Sequence, residues 1–466
     1  MKKHLFCMII LFIVSVSVNA QTAPKYPFPQ NVNYPHGNMT TIISNEFVKN
    51  WYDSWKKKYL QRCTNSIRPG VDPLSKSLVE AQGFAMVAVA YMGDKDIFDS
   101  LYTYYKSKQT TEGCGLMGWK VNGCDNFEDR GSATDGDIDV ACALIVADWQ
   151  WPDAGYKEKA KELITTLKKM IANCSGKLAV YPGCGSGRPW GGCDETDISY
   201  YTPAFFRYFA DVSGDQSWAK LADDNHIIRD AAANSTTGLV PDWQSVSGRA
   251  GAGSRKGYFS FDAIRAPYKQ SMDFIWHGNQ QAEAWAKKLT TWAYGFGVKK
   301  IVDGFNLNGT TAGSNHNMAT VGSMAVAAMA NTQEVLDAFA NEVITLKDDY
   351  WYSGYLGNLY LLSLSGNMWT PEIIASQVNT NRSKGKLDPG VQLKISIKVN
   401  RGIAISGLPQ NCMITLNSLS GKKAFSVFTA DRSTSVNINS LQGGCYVLSI
   451  HDQHGKKLEG RMIPVY

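Results

Sequence analysis

Between about Asn45 and Gly366 apolar residues return at three-and-four spacing in one stretch after another, and glycine-rich loops separate the stretches. "SLVEAQGFAMVAVAYMG", "DKDIFDSLYTYYKSK", "DIDVACALIVADWQW", "YKEKAKELITTLKKMIANC", "TPAFFRYFADVSG" and "QQAEAWAKKLTTWAYGFG" are examples. A chain with this rhythm buries its apolar stripes by packing helix on helix, and ordinary helix and loop lengths fit about ten to twelve helices into the span. The loops between them, such as "CGLMGWKVNGC" and "YPGCGSGRPWGGCDE", are rich in Gly, Trp and Asp. No strict sequence repeat is visible.

The rhythm changes near Leu393. "LKISIKVN", "CMITLNSL", "KAFSVFTA", "TSVNINSL" and "CYVLSIHD" alternate apolar and polar residues between turn residues, which predicts a small all-β domain over 392–466 behind a polar linker at 379–391. At the other end, "MKKHLFCMIILFIVSVSVNA" has two lysines, a short apolar run and a small-residue end, and reads as a signal peptide over residues 1–20. No other segment is long and apolar enough to span a bilayer. Lys+Arg at 47 against Asp+Glu at 41 is too thin an excess for nucleic-acid binding. A secreted or cell-surface protein is expected.

Ten cysteines include Cys7 in the leader, so an odd nine remain. Cys114 with Cys124, Cys184 with Cys193, and Cys412 with Cys445 suggest themselves as pairs by proximity. Tight Cys-x-x-Cys pairs and nearby His ligands are absent, so no metal is expected.

Three acids crowd into five residues in "SATDGDIDVACALIVADWQW". Ser132 with Asp135 reads as a capping box, and carboxylates suit a helix N-terminus, but a cap needs fewer than three. Glu80 opens another helix, beside a Gly83 that admits close approach of a ligand or a neighbouring helix. Asp262 stands among aromatics in "GYFSFDAIRAPY", with Arg265 three residues on.

Here the residues carry a resemblance. "ATDGDIDVACALIVADWQW" is similar to the signature of glycoside hydrolase family 8, with Val140 at a position where Ile or Met is commoner. "VEAQGFAM" resembles the family's Glu-Gly-Gln-Gly-Tyr-Gly-Met segment around its general acid. "FDAIRAPY" resembles its Tyr-Asp-Ala-x-Arg-x-Pro-Trp segment around the general base, with Phe261 for the tyrosine and Tyr268 for the tryptophan. "DISYYTPAFFRYFA" lies between the second and third motifs. The resemblance implies an all-α (α/α)6 barrel catalytic domain, over 21–378, with the small all-β sandwich-like domain after it. It also implies inverting hydrolysis of β-1,4 linkages without a cofactor, internally in cellulose-type glucan, with xylan second. Asp262 and the intact "ATDGDID" argue against the chitosanase and exo-acting groups.

On that resemblance Glu80 is the general acid and Asp262 the general base, kept ionised by Arg265. Asp135 lies near Glu80 and the central sugar; Asp137 shares that task or braces the loop; Asp139 is structural. Loop position and the family match make Trp119 and Trp190 stacking platforms, since pyranose rings offer an apolar face to aromatics. Phe261 adds a contact beside the base. Tyr200 helps place the nucleophilic water, with Tyr201 as the alternative. His316 reads as structural, and "DGFNLNGTTAG" as a loop near substrate. A non-catalytic glycan-binding protein would lack one of the two carboxylates. The C-terminal segment is similar to sorting domains of the type IX secretion pathway, through a Ser-Gly-Lys turn, "LQGGCYVLSI" and "HGKKLEGR". The partners so implied are a polysaccharide and the secretion machinery, for a monomer.

Overall fold

The computed structural model describes residues 23–251, 256–384, 394–398, 402–406, 408, 411–418, 423–437, 441, 444–451 and 457–465. The signal peptide read over 1–20, positions 385–391 of the linker and the Ser420-Gly421-Lys422 turn lie outside them. Two compact units meet at Trp369/Thr370.

Among its described residues the first unit holds twelve α-helices: α1 (Asn45–Tyr59), α2 (Val79–Met92), α3 (Lys95–Ser107), α4 (Thr134–Gln150), α5 (Tyr156–Leu167), α6 (Pro203–Ser213), α7 (Ser217–Ala232), α8 (Ala266–His277), α9 (Gln280–Phe296), α10 (Met318–Ala328), α11 (Gln333–Val343) and α12 (Trp351–Leu364). They alternate in burial. Helix α2 buries twelve of its fourteen residues, whereas α3 buries only Phe98, Leu101, Tyr104 and Tyr105. The difference separates an inner from an outer layer, because an outer helix shows one face to the core and an inner one is enclosed. Around the inner ring α2 packs on α4 and α12, α6 on α8, and α8 on α10, which meets α12. Trp149 of α4 bridges to α6, its ring 5.0 Å from that of Tyr208. The architecture is an (α/α)6 barrel.

Two helix boundaries differ from what the sequence predicts. The run "YKEKAKELITTLKKMIANC" is helical only to Leu167; after a single 3-10 turn, Ile171–Cys174 pairs as a strand with Lys177–Val180. Ser175 and Gly176, both at positive φ, supply the two-residue turn that a tight hairpin needs. Ser132 does not cap α4: it lies in a short strand and its hydroxyl accepts from the Cys184 N–H. Helix α4 begins at Thr134 with no side-chain cap.

Among the described residues the disulfides are Cys63–Cys124, Cys114–Cys184 and Cys174–Cys193, with Cα separations of 5.8, 5.9 and 5.4 Å. None follows the expected Cys114/Cys124 and Cys184/Cys193 pairing. Each of these bonds joins segments apart in sequence rather than the ends of one glycine-rich loop, as where Gly187 N donates to Glu112 O and brings the segments of Cys114 and Cys184 together. Cys142 is a buried thiol in α4. The side chain of Cys445 lies outside the described residues.

The second unit begins with α13 (Pro371–Lys384), which occupies the first part of the segment read as linker. Seven antiparallel strands follow among the described residues. One sheet orders Lys394–Lys398, Gly402–Ser406 and Ser433–Asn437; the other orders Lys423–Thr429, Cys412–Ser418, Gly444–His451 and Lys457–Val465. Alternate residues Ile403, Ile405, Ile414, Leu416, Leu448 and Ile450 meet in one core, which makes the unit a small β-sandwich.

Candidate active site

Two glycines decide where the acids meet. A Cβ on Gly136 of α4 would lie 2.2 Å from Val79 O, and one on Gly83 of α2 would lie 2.7 Å from Asp139 Cβ. With hydrogen in those places the two inner helices cross nearly backbone to backbone, and Glu80 and Asp135, in their first turns, are brought together. First-turn carboxylates are also favoured by the unsatisfied N–H groups and dipole there.

Arg265, at the entrance to α8 and 1% exposed, joins them. Its Nη1 donates to Glu80 Oε1 and, at 2.5 Å, to Asp135 Oδ2; its Nη2 is 3.5 Å from Asp197 Oδ2 and 3.7 Å from Asp262 Oδ1. The expected partner, Asp262, is thus the most distant of four carboxylates. A desolvated guanidinium takes the anions nearest its own level in the barrel, and those are Glu80 and Asp135. Burial pushes the Glu80 carboxyl up to about 7, with Asp135 and Asp262 adding to the rise and Arg265 opposing it. Asp197 is held well above the usual carboxylate range by burial and by Asp262.

Asp262 keeps 40% of its side chain exposed. The loop carrying it is gripped from both sides: Asp242 Oδ1 accepts from Ser260 N at 2.7 Å and Ala263 N at 2.9 Å. Trp243 Nε1 donates to Asp262 Oδ2 at 2.8 Å. Phe261 is 43% exposed, and its carbonyl accepts from the hydroxyl of Tyr352 in α12.

Trp190 stacks on Trp243, with centroids 6.1 Å apart and planes 20° apart. Its strand belongs to a hairpin that pairs with Ser132–Ala133, directly before α4. Trp119 is half-buried, and its carbonyl accepts from Val79 N, next to Glu80. Tyr200 faces inward, its ring 5.4 Å from the Arg265 guanidinium. Tyr201 instead donates to, or accepts from, Thr196 and accepts from Val180 N in the core. His316 bonds the Ile301 carbonyl and Glu342, and Asp303 holds the loop after it by accepting from Ser314 N and Asn315 N.

Asp137 turns away from Arg265. It accepts from the Tyr105 hydroxyl at 2.6 Å and from Met117 N at 3.0 Å, which braces the loop before Trp119. Asp139 accepts from Lys269 Nζ through both oxygens at 2.9 Å, with both side chains buried. Breaking a buried pair strands the remaining charge, so Lys269→Met should cost about 3–5 kcal/mol, and Lys269→Met with Asp139→Leu should recover most of it. Urea denaturation of the two variants checks this; equal losses would contradict it.

Burial raises Glu80 from 4.5, and Asp137 and Asp242 from 3.8, each to about 7. The folded state therefore holds protons that the unfolded chain releases. The stability this contributes is complete below about pH 4 and is lost as pH rises through 7. The urea midpoint should fall between pH 5 and pH 8, and fall less in Asp137→Asn. A midpoint flat across that range would contradict the assignment.

Among the described residues no three His, Cys, Asp or Glu side chains group as metal ligands, and no helix is long and apolar enough to cross a membrane. Residues 26–369 match the family model described as Glycosyl hydrolases family 8. The chain belongs to this family. Among its relatives, Endoglucanase 2 of Ruminiclostridium josui is 32% identical over 381 residues, covering 76% of this chain and 80% of the relative. The apo structure of the β-1,3-1,4-glucanase from Paenibacillus sp. X4 superposes with a TM-score of 0.69 at 27% identity, over 75% of this chain and all of the other. A family 8 xylobiose complex from Teredinibacter turnerae shares the fold, with a TM-score of 0.62 at 20% identity over 71% of this chain and 97% of that one. This chain is a family 8 glycoside hydrolase.

Sequence reasoning missed Trp243, Asp242, Asp197 and Tyr352. The signal that selected Trp119 and Trp190, a tryptophan in a loop between helices, applies equally to Trp243 in "LVPDWQS". Asp197 and Tyr352 carry no such mark, because their place depends on which helix ends converge.

Proposed function

We propose that the protein is a secreted endo-acting hydrolase of β-1,4-glucan that works by inversion, as a monomer. The observation that carries this reading is Arg265, which gathers Glu80, Asp135, Asp197 and Asp262 around one cation at the ends of the inner helices. In it, Glu80 gives its proton to the glycosidic oxygen as the C–O bond breaks. Asp262 takes a proton from the water that attacks the anomeric carbon on the opposite ring face. A carboxyl raised to about 7 holds the needed proton in mildly acidic and neutral solution. Asp135 bonds sugar hydroxyls and disfavours charge on Glu80. Arg265 orients both, and Tyr200 helps place the water. Trp119, Trp190 and Phe261 offer aromatic faces to pyranose rings, while Asp137 braces the Trp119 loop.

The glucan preference is supported by relatives named endoglucanase at 30–32% identity. Residues 1–20 direct export, and the sandwich after the linker serves as a type IX sorting domain. The test is to incubate the purified chain with carboxymethyl-cellulose, mixed-linkage glucan, xylan and chitosan, following reducing ends and viscosity. Rapid viscosity loss on a glucan is expected. Viscosity loss on xylan alone would move the substrate to the second polymer, and binding without cleavage of any would overturn the catalytic reading.

A further inference from the structure

We infer that Trp243 is a positioning residue whose indole N–H fixes the carboxylate of Asp262 and ties its orientation to the aromatic surface formed with Trp190. The inference rests on the reading of Asp262 as general base. Trp243 is held at every handle. Its backbone N–H donates to Lys256 O at 3.2 Å and its carbonyl accepts from Gly251 N at 2.8 Å, so the indole is aimed by a backbone that is already committed. The ring is 6% exposed, between the stacked Trp190 and the edge of Tyr200, whose centroid is 6.1 Å away.

From there Nε1 meets Oδ2 of a carboxylate that is otherwise 40% exposed. A half-exposed Asp left to itself samples several rotamers and bonds to water. One directional N–H at 2.8 Å selects a single carboxylate plane and leaves Oδ1, on the Arg265 side, as the oxygen turned to an incoming water. Asp242, the preceding residue, grips the backbone on both sides of Asp262. The dipeptide thus clamps main chain and side chain together. Because Trp190 lies on the same ring, a sugar stacked there presses on the group that orients the base. Part of the binding interaction is thereby converted into alignment.

The test replaces Trp243 in the full chain with its benzothienyl analogue, in which sulfur takes the place of N–H and the ring shape is kept. Loss of one hydrogen bond to a charged group should lower kcat about 10- to 100-fold, with KM within about 2-fold and an unchanged melting temperature. Trp243→Leu, which also removes the stack, should raise KM as well. In an Asp262→Asn background the analogue should have no further effect, since the contact it removes acts only through that carboxylate. Wild-type kcat in the analogue, or a full additional loss in the Asp262→Asn background, overturns the inference while leaving the base assignment standing. Near-normal turnover in Asp262→Asn alone overturns the base assignment, and the inference with it.

Discussion

Glu80→Gln should lower kcat on a β-1,4-glucan about 10³-fold or more while KM stays within a few-fold. Glutamine keeps the shape and can still meet Arg265, but it has no proton to give, and acid catalysis to a sugar alkoxide leaving group accounts for about 10²–10⁴ in rate. The deficit should shrink on an aryl glycoside whose leaving group departs without protonation, which a merely structural loss would not produce. The pH profile gives an independent reading. Activity of the native enzyme should fall as pH rises through about 7, where Glu80 loses its proton. The residual activity of Glu80→Gln should lack that limb. A glutamine variant with near-normal turnover, or with the basic limb intact, would move the acid elsewhere.

Asp262→Asn should be equally damaging, about 10³-fold or more in kcat, with a different signature. Asparagine can still accept from Trp243, but it cannot take the proton of the attacking water. Its deficit should therefore be as large on an activated aryl glycoside as on the polymer. Added azide, a nucleophile that needs no base, should restore product formation as a glycosyl azide of inverted configuration. Activity that is insensitive to azide and close to native would exclude Asp262 as the base. The two variants together separate protonation of the leaving group from activation of water, the two tasks an inverting hydrolase assigns to different carboxylates.

Both acids stand in segments whose helical or loop character is readable from sequence, and most of the architecture follows the same signal. The three-and-four spacing marks α2, α3, α4, α6 and α9 to within a few residues. It does not reveal the layer. "VEAQGFAMVAVAYM" looks amphipathic when its alanines are counted as a polar face, yet it is buried all round, because in an inner helix alanine is the residue that lets neighbours approach. Period-two alternation marks five strands of the sandwich, while Gly402–Ser406 and Lys457–Val465 emerge only through pairing.

What stayed hidden in the sequence is set by contacts between distant segments. The partner of each cysteine depends on which loops fold over which helix ends. Arg265 sits three residues after Asp262, and spacing alone pairs it with that acid, but its length carries the guanidinium to Glu80 and Asp135, 185 and 130 residues away in sequence. Lys269, one turn further along α8, reaches Asp139 in the same way. The crowding of acids in "TDGDID" accordingly has three separate explanations, a cation at Asp135, a loop at Asp137 and a buried lysine at Asp139.

The most direct test of the mechanism is the anomeric configuration of the first product, followed by proton NMR as the wild-type enzyme cleaves cellohexaose faster than the product mutarotates. Cleavage of a β-linkage with Glu80 as acid and Asp262 as base predicts that the new reducing end appears as the α-anomer, with the β signal growing later. A β signal that appears first would mean a covalent intermediate and net retention, and would contradict the roles assigned to both residues.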